Sequence, residues 1–195
     1  MTIRDRRDGD SEARSTERLR SQEGPIERRV TAERDGELVV FHIGMRINSL
    51  WKFHLWLPIL LFGPRMVREL RADPDSGLLG SRTVVGPGIR HVEFVQYWES
   101  FDALEAYARD GDRSHVDGWR TYLKRRENSA VGIWHETYRV AAGEYETVYD
   151  NMPPHGLAAS EGTAIVPATG RRESAAGRIG TESGADETDG ENGAD

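Results

Sequence analysis

Residues 37–47 read ELVVFHIGMRI, and their pattern predicts the first strand of the sheet. An apolar series runs at every second position from Phe41 to Ile47, and a mixed series runs between them from Val40 to Arg46. Because successive side chains of a strand point to opposite faces, this alternation predicts a half-buried strand. The apolar series predicts the face that meets a helical layer.

A helical pattern follows this strand. Apolar residues recur at intervals of three or four at Trp51, Leu55, Ile59, Phe62, Met66 and Leu70. Such a stripe predicts an amphipathic helix. Since a proline inside a helix removes a backbone donor and clashes with the preceding turn, Pro58 and Pro64 predict two or three short helical pieces. A turn at 73–77 then leads into a predicted strand over 78–85.

The second half repeats this order. Residues 90–98 alternate again and predict a third strand, after which Ser100 is placed to cap a helix that reaches about Arg109. Residues 114–126 predict another helix, and residues 131–140 predict the last strand. A strand-helix-strand unit that occurs twice is typical of an α+β, ferredoxin-like fold.

The two ends of the chain differ from this middle. Residues 1–35 carry nine basic and nine acidic residues without periodicity, whereas residues 157–195 carry three basic and eight acidic residues. Such composition predicts disorder. We therefore expect a disordered segment over 1–35, a folded domain over 36–158 and a disordered acidic tail over 159–195.

Composition also excludes several classes of function. The domain has no stripe of Lys or Arg that would indicate nucleic-acid binding. The chain has no cysteine, so a disulfide framework, a thiolate nucleophile and Cys-ligated metals are excluded. Phosphate-binding glycine motifs and the serine-hydrolase elbow are absent. The N-terminus lacks an apolar core for a secretory signal, which predicts a cytoplasmic protein.

Candidate site residues come from the predicted faces. Gln96, Trp98 and His135 are predicted to point from the strands toward the helices. His115 and Trp119 are spaced i, i+4 and share one helix face. These side chains could line a single cavity between the sheet and the helices. The alternative for each of them is an ordinary role in core packing.

The opposite sheet face carries a second group of polar residues. If the first strand lies between the third and the fourth, His42 approaches His91 and Glu93 on one side or Glu136 on the other. Two histidines and a carboxylate can bind iron. A hydrogen-bonded cluster where two sheets meet in a dimer explains the same residues more simply, so no metal is predicted.

Several motifs resemble a family of uncharacterised domains related to the fungal monooxygenase of fumagillin biosynthesis. The resemblance covers roughly residues 38–158. It is carried by FHIGMRIN at 41–48, WLP at 56–58, PRM at 64–66, YWESF at 97–101, VGIWHETY at 131–138, YE at 145–146 and YDNMPPHGL at 149–157.

This resemblance implies a dimeric α/β barrel, in which two ferredoxin-like subunits join their sheets, and hence a homodimer. It implies a cofactor-independent monooxygenase that acts on a small apolar molecule. His135 would then be the base or proton donor, and His115 would share that role. The implied oxyanion donors are Gln96 and Asn151. The residues expected to exclude water are Trp51, Trp98, Trp119 and Tyr145.

Two alternatives remain open. Relatives in the same barrel superfamily bind haem through a histidine on a helix of the second half, a place comparable to that of His115. The chain could instead be a non-catalytic ligand-binding or membrane-associated module that docks through residues 50–62. This apolar stretch is shorter than the roughly 20 residues of a spanning helix, and membrane association is the less favoured interpretation.

Overall fold

The computed structural model describes residue 19 and residues 22–179. Within this part of the chain the strands and helices have the following bounds. The strands are β1 Val30–Glu33, β2 Leu38–Ile47, β3 Leu78–Val85, β4 His91–Trp98, β5 Val131–Val140 and β6 Ala164–Pro167. The α-helices are α1 Phe53–Ala72, α2 Phe101–Arg109, α3 Ser114–Leu123 and α4 Ala175–Arg178. Short 3-10 helices lie at Pro87–Ile89, Arg126–Asn128, Gly156–Ala159 and Gly170–Glu173.

The main sheet has four strands in the order β3-β4-β2-β5, and each neighbouring pair is antiparallel. The two central strands, β2 and β4, are each the first strand of one strand-helix-strand unit. This is the ferredoxin-like topology that the sequence predicts, and the prediction is confirmed. The predicted strands 78–85 and 131–140 match β3 and β5 at both ends.

The predicted breaks in the first helix are wrong. Helix α1 runs without interruption from Phe53 to Ala72 and contains both Pro58 and Pro64. A proline inside a helix costs about 3 kcal/mol. The helix buries Ile59, Met66, Val67 and Leu70 in the protein core, and this burial offsets the local cost.

The predicted disorder at the two ends is wrong for two segments. Strand β1 lies in the segment 1–35 and strand β6 lies in the tail 159–195, and they pair in register from Val30 opposite Pro167 to Glu33 opposite Ala164. Their apolar side chains form a core with Leu38 and Leu157. Four-residue strands carry too little periodicity to be recognised, and these two stabilise each other only after folding. The rest of the predicted disorder, at 1–18, 20–21 and 180–195, lies outside the described residues.

The helices cover one face of the main sheet, and the small β1–β6 sheet covers part of the other. Val39, Phe94 and Trp98 face α1 and α2 in the main core cluster. The predicted assignment of strand residues to the two faces is therefore confirmed. No helix among the described residues is both long and apolar enough to span a bilayer.

Candidate functional site

A cavity of about 630 Å³ lies between the main sheet and the helical layer. Its walls are mainly apolar. The sheet contributes Phe41, Ile43, Met45, Phe94 and Ile133, and the helices contribute Ile59, Phe62, Met66, Leu104 and Val116. A mostly apolar pocket of this size with a few polar groups is typical of a site for a small apolar ligand.

Four of the predicted site residues meet at this cavity. His135 and Gln96 line it from the sheet, whereas His115 and Trp119 line it from α3. Strand alternation and helical spacing predict that these four side chains share one cavity, and they do; their roles in binding or catalysis stay predictions. Trp119 is 51% exposed, so the cavity reaches the surface beside it.

His135 is the most accessible base at this cavity. It lies on the edge strand β5, where it is exposed, and its ring centroid lies 5.7 Å from that of Phe41. Within the described residues His135 forms no hydrogen bond. An imidazole whose nitrogens are not engaged can exchange a proton with a ligand.

His115 is held more tightly. Its Nε2 lies 3.2 Å from the carbonyl oxygen of Ala108. A carbonyl only accepts, so Nε2 carries a proton, and the lone pair of the neutral ring sits on Nδ1. Nδ1 is buried and has no partner within the described residues. The ring also packs on Tyr107, with centroids 4.6 Å apart.

Tyr107 is a site residue that the sequence reasoning missed. It lines the cavity from α2, and its hydroxyl is buried without a partner within the described residues. Burial raises the pKa of the Tyr107 hydroxyl far above its usual value, so the group is a neutral donor. The available signal was its helical spacing of three from Leu104, which places both residues on the buried side of α2.

Gln96 has one engaged and one free end. Its Oε1 accepts a hydrogen bond of 3.0 Å from the indole Nε1 of Trp98, which fixes the amide orientation. Its Nε2 is buried and has no partner among the described residues. Gln96 is only 1% exposed, so bulk water does not replace the missing partner. A buried donor without a partner costs about 1–3 kcal/mol, and a ligand oxygen could satisfy it.

Three buried polar atoms without partners thus belong to residues that line one cavity: Gln96 Nε2, Tyr107 Oη and His115 Nδ1. Native proteins leave few buried polar groups unpaired, so these three atoms are candidates for hydrogen bonds to a ligand. Each of the three atoms is covered by neighbouring atoms in this structure.

Charged groups brace the helix ends around the cavity. Arg113, just before α3, donates to Asp73 at the end of α1 at 2.6 Å and to Asp110 at the end of α2 at 2.8 Å. The hydrogen bond from Arg113 holds the pKa of Asp73 below its usual value. The hydrogen bond from the backbone N–H of Asp112 is the main cause that lowers the pKa of Asp110, and the hydrogen bond from Arg113 lowers it further. Three helix ends are therefore tied to one guanidinium, which fixes α2 and α3 relative to α1.

The structure corrects the placement of the other four predicted site residues. Trp51 is 92% exposed ahead of α1. Trp98 is fully buried and lies beyond the end of the cavity. It is two residues after Gln96 on the same strand face, which places it about 6–7 Å further along the strand. The Tyr145 hydroxyl accepts a hydrogen bond of 2.7 Å from the backbone N–H of Arg34, on the side of the sheet opposite the helices. Asn151 is exposed with a φ of 52° in the same region.

The polar group on the opposite sheet face is a hydrogen-bonded cluster. His42 Nδ1 lies 2.6 Å from Glu93 Oε1, and the Tyr138 hydroxyl donates to Glu136 at 2.5 Å. The His42 and Tyr138 rings meet edge to face at 5.8 Å. Among the described residues no group of three or more His, Cys, Asp or Glu side chains is arranged to hold a metal ion.

His115 does not fit the haem alternative as it is arranged. An axial histidine must present one nitrogen lone pair to the iron. In His115, Nε2 faces the Ala108 carbonyl and Nδ1 is covered by its surroundings. Neither nitrogen is open to a planar macrocycle.

Comparison of the sequence with known proteins identifies the family to which the chain is similar. The model of the family described as "Monooxygenase af470-like" matches residues 38–157. Monooxygenase af470 of Aspergillus fumigatus is 28% identical over 134 residues, which cover 61% of this chain and 44% of that protein. The chain therefore corresponds to less than half of the curated relative.

Structural comparison agrees on the fold. A crystal structure of aldoxime dehydratase (OxdRE) in complex with butyraldoxime is similar with a TM-score of 0.51 and 15% identity, and the match covers 80% of this chain and 43% of that one. SnoaB, a cofactor-independent oxygenase from Streptomyces nogalater, matches with a TM-score of 0.31 and 14% identity over 52% of this chain and 90% of that one. Of the two, only the similarity to the aldoxime dehydratase structure supports the fold class, and it supports nothing beyond the fold.

Proposed function

The chain belongs to the monooxygenase af470-like family, and from that premise we propose that it is a monooxygenase that oxidises a small apolar molecule in the cavity between sheet and helices. The observation that carries the proposal is that His135 meets, at one apolar cavity, three residues that each have a buried polar atom without a partner among the described residues. The residues there supply acid–base and hydrogen-bonding groups, so the reaction that they support best proceeds without a cofactor.

The chemistry of such a reaction constrains the substrate. Without a cofactor, the substrate itself must supply all four electrons that reduce dioxygen, two when the hydroperoxide forms and two when it loses water. A CH₂ group made acidic by neighbouring carbonyl or aryl groups meets this need. It loses one proton to a base, and the carbanion adds dioxygen and regains a proton as a hydroperoxide. Loss of water then leaves a carbonyl, so one oxygen atom enters the product and the other leaves in water.

The residues divide these tasks according to their surroundings. His135 removes the proton, because its ring is accessible and makes no competing hydrogen bond among the described residues. Gln96 Nε2 and the Tyr107 hydroxyl donate to the enolate oxygen, which spreads the carbanion charge. His115 completes the polar end of the cavity, and the apolar walls exclude water.

The first test asks whether this cavity binds apolar molecules. Val116 lines the cavity from α3, whereas Leu123 lies on the same helix outside it. Val116→Trp fills part of the cavity, so we expect about tenfold weaker binding of the apolar dye anilinonaphthalene sulfonate, a loss of about 1.4 kcal/mol. The measurement is a fluorescence titration of each variant.

The matched control for this test is Leu123→Trp, which adds a similar ring outside the cavity. We expect its affinity for the dye to equal that of the unmodified protein. Equal affinity in all three proteins would show that the dye binds elsewhere, and the proposed ligand site would then be abandoned.

We also propose a homodimer that forms through the part of the sheet not covered by helices or by the β1–β6 sheet. This face carries the His42–Glu93 pair and the half-exposed ring of Tyr138, and the sheet of a second copy could pack on it. Light scattering should give twice the mass of one chain. A single-chain mass at all concentrations tested would contradict the dimer.

A further inference from the structure

The solvent face of α1 is unusual for a helix that packs on a sheet. Phe53, Leu57 and Leu61 are spaced i, i+4, i+8 and form one stripe along this face. Their exposed fractions are 60%, 40% and 62%, and Trp51 just before the helix is 92% exposed. This apolar stripe faces away from the core, which α1 contacts through Ile59, Met66, Val67 and Leu70.

The stripe continues into basic residues. At 100° per residue, Arg65 and Arg68 follow Leu61 on the same exposed face in the second half of α1. Neither forms an ion pair within the described residues. The first turn of α1 contains no acidic residue. The exposed face is therefore apolar in its first half and cationic in its second.

Helix α3 extends this surface. Gly118 packs against Phe62 of α1, and a Cβ added at Gly118 would lie 3.2 Å from the Cβ and 3.3 Å from the Cγ of Phe62, so the two helices lie side by side. On α3, the helix beside α1, the exposed apolar residues are Trp119 and Leu123, which are 51% and 38% exposed. Lys124 follows α3 and forms no ion pair in the described part of the chain.

The charge of this surface is opposite to that of the chain. Residues 50–72 carry four basic and one acidic residue, and residues 114–128 carry four basic and two acidic residues. The whole chain has a net charge of −7. This surface is cationic and contains exposed aromatic and aliphatic side chains. It is complementary to a partner surface that has an anionic outer layer and an apolar layer beneath it.

We propose that the solvent face of α1, together with the adjoining face of α3, docks on an anionic lipid membrane. Trp51, Phe53, Leu57 and Leu61 insert among the acyl chains near the headgroups, and Arg65 and Arg68 contact the lipid phosphates. No spanning helix is required, because the helix lies in the plane of the interface.

Docking in this orientation has a consequence for the cavity. The opposite face of α1 supplies Ile59, Phe62 and Met66 to the cavity wall, and Trp119 belongs both to the cavity and to the exposed surface. An apolar molecule dissolved in the bilayer would therefore meet the protein next to the cavity. The docking proposal itself stands on the surface alone and does not depend on the oxygenation chemistry.

The experiment is flotation of the full chain with vesicles. We expect the protein to float with vesicles of phosphatidylcholine and phosphatidylglycerol, and far less with phosphatidylcholine alone. Raising the salt from about 0.1 M to about 0.5 M should weaken binding, because it screens the contribution of the arginines. The double variant Leu57→Glu, Leu61→Glu should bind anionic vesicles at least about tenfold more weakly, since both positions would insert.

The matched control is Val85→Glu, Ile89→Glu. These two residues are 59% and 68% exposed at the β3–β4 connection, so the control adds the same charges outside α1 and α3. Circular dichroism confirms that both double variants remain folded. Absence of flotation with anionic vesicles at low salt, or equal losses in both double variants, would overturn the proposal. So would a halved solution mass for Leu57→Glu, Leu61→Glu, which would assign the stripe to a second copy of the chain.

Discussion

Replacing His135 by Asn is expected to reduce oxygen uptake by the protein about 10²–10⁴-fold, the usual contribution of a positioned general base. The asparagine amide cannot accept a proton at neutral pH, and it is close to imidazole in size. Because His135 is exposed and makes no hydrogen bond among the described residues, the substitution should leave the free energy of unfolding nearly unchanged.

The measurement uses an oxygen electrode and a panel of apolar compounds that carry an acidic CH₂ between aryl or carbonyl groups. His54→Asn is the matched control, because His54 is an exposed histidine of α1 that does not line the cavity. Equal loss in both variants would mean that His135 has no special role. If no compound in the panel supports oxygen uptake by the unmodified protein, the oxygenation proposal itself fails.

Replacing Trp98 by Ala is expected to destabilise the protein by about 3–5 kcal/mol, the usual cost of truncating a fully buried aromatic side chain. Trp98 has no exposed surface, lies opposite Val39 in the sheet and packs on Tyr107 with centroids 5.7 Å apart. Its indole is also the partner of Gln96 Oε1. Since small domains are stable by about 5–15 kcal/mol, the loss is a large fraction of the total.

Urea unfolding followed by circular dichroism measures this effect. Trp119→Ala separates packing from ligand binding, because Trp119 lines the cavity but is half exposed. We expect a small change in its unfolding free energy and weaker dye binding. Two variants with equal unfolding free energies would contradict the assignment of Trp98 to the core rather than to the ligand site.

The sequence was informative wherever residues repeat with a regular period. Alternation along β2, β4 and β5 predicted both the strands and the faces on which His135 and Gln96 lie. Spacing along α3 likewise brought His115 and Trp119 to the cavity. Periodicity reports the side of an element to which a residue points. It does not indicate at which residue of a strand the cavity ends. For this reason the pattern predicts Trp98 as a site residue, although the cavity ends before it.

Other features had no local signal. Strands β1 and β6 are four residues long and more than a hundred residues apart, so neither is stable until the other pairs with it. The prediction that Tyr145 lines the cavity rested on the family resemblance alone, whereas its hydroxyl contacts Arg34, in a segment predicted to be disordered. The unbroken course of α1 through two prolines depended on the core that the helix buries.

The strand and helix order, the ferredoxin-like class and the side of the sheet on which the histidines lie follow from periods of 2 and 3.6 residues along one segment. The position of the cavity, the polar atoms around it without partners among the described residues, and the apolar face of α1 that remains in solvent follow from the packing of segments against each other. Those properties depend on distances between segments that are remote in the chain, and the pattern of a single segment does not contain them.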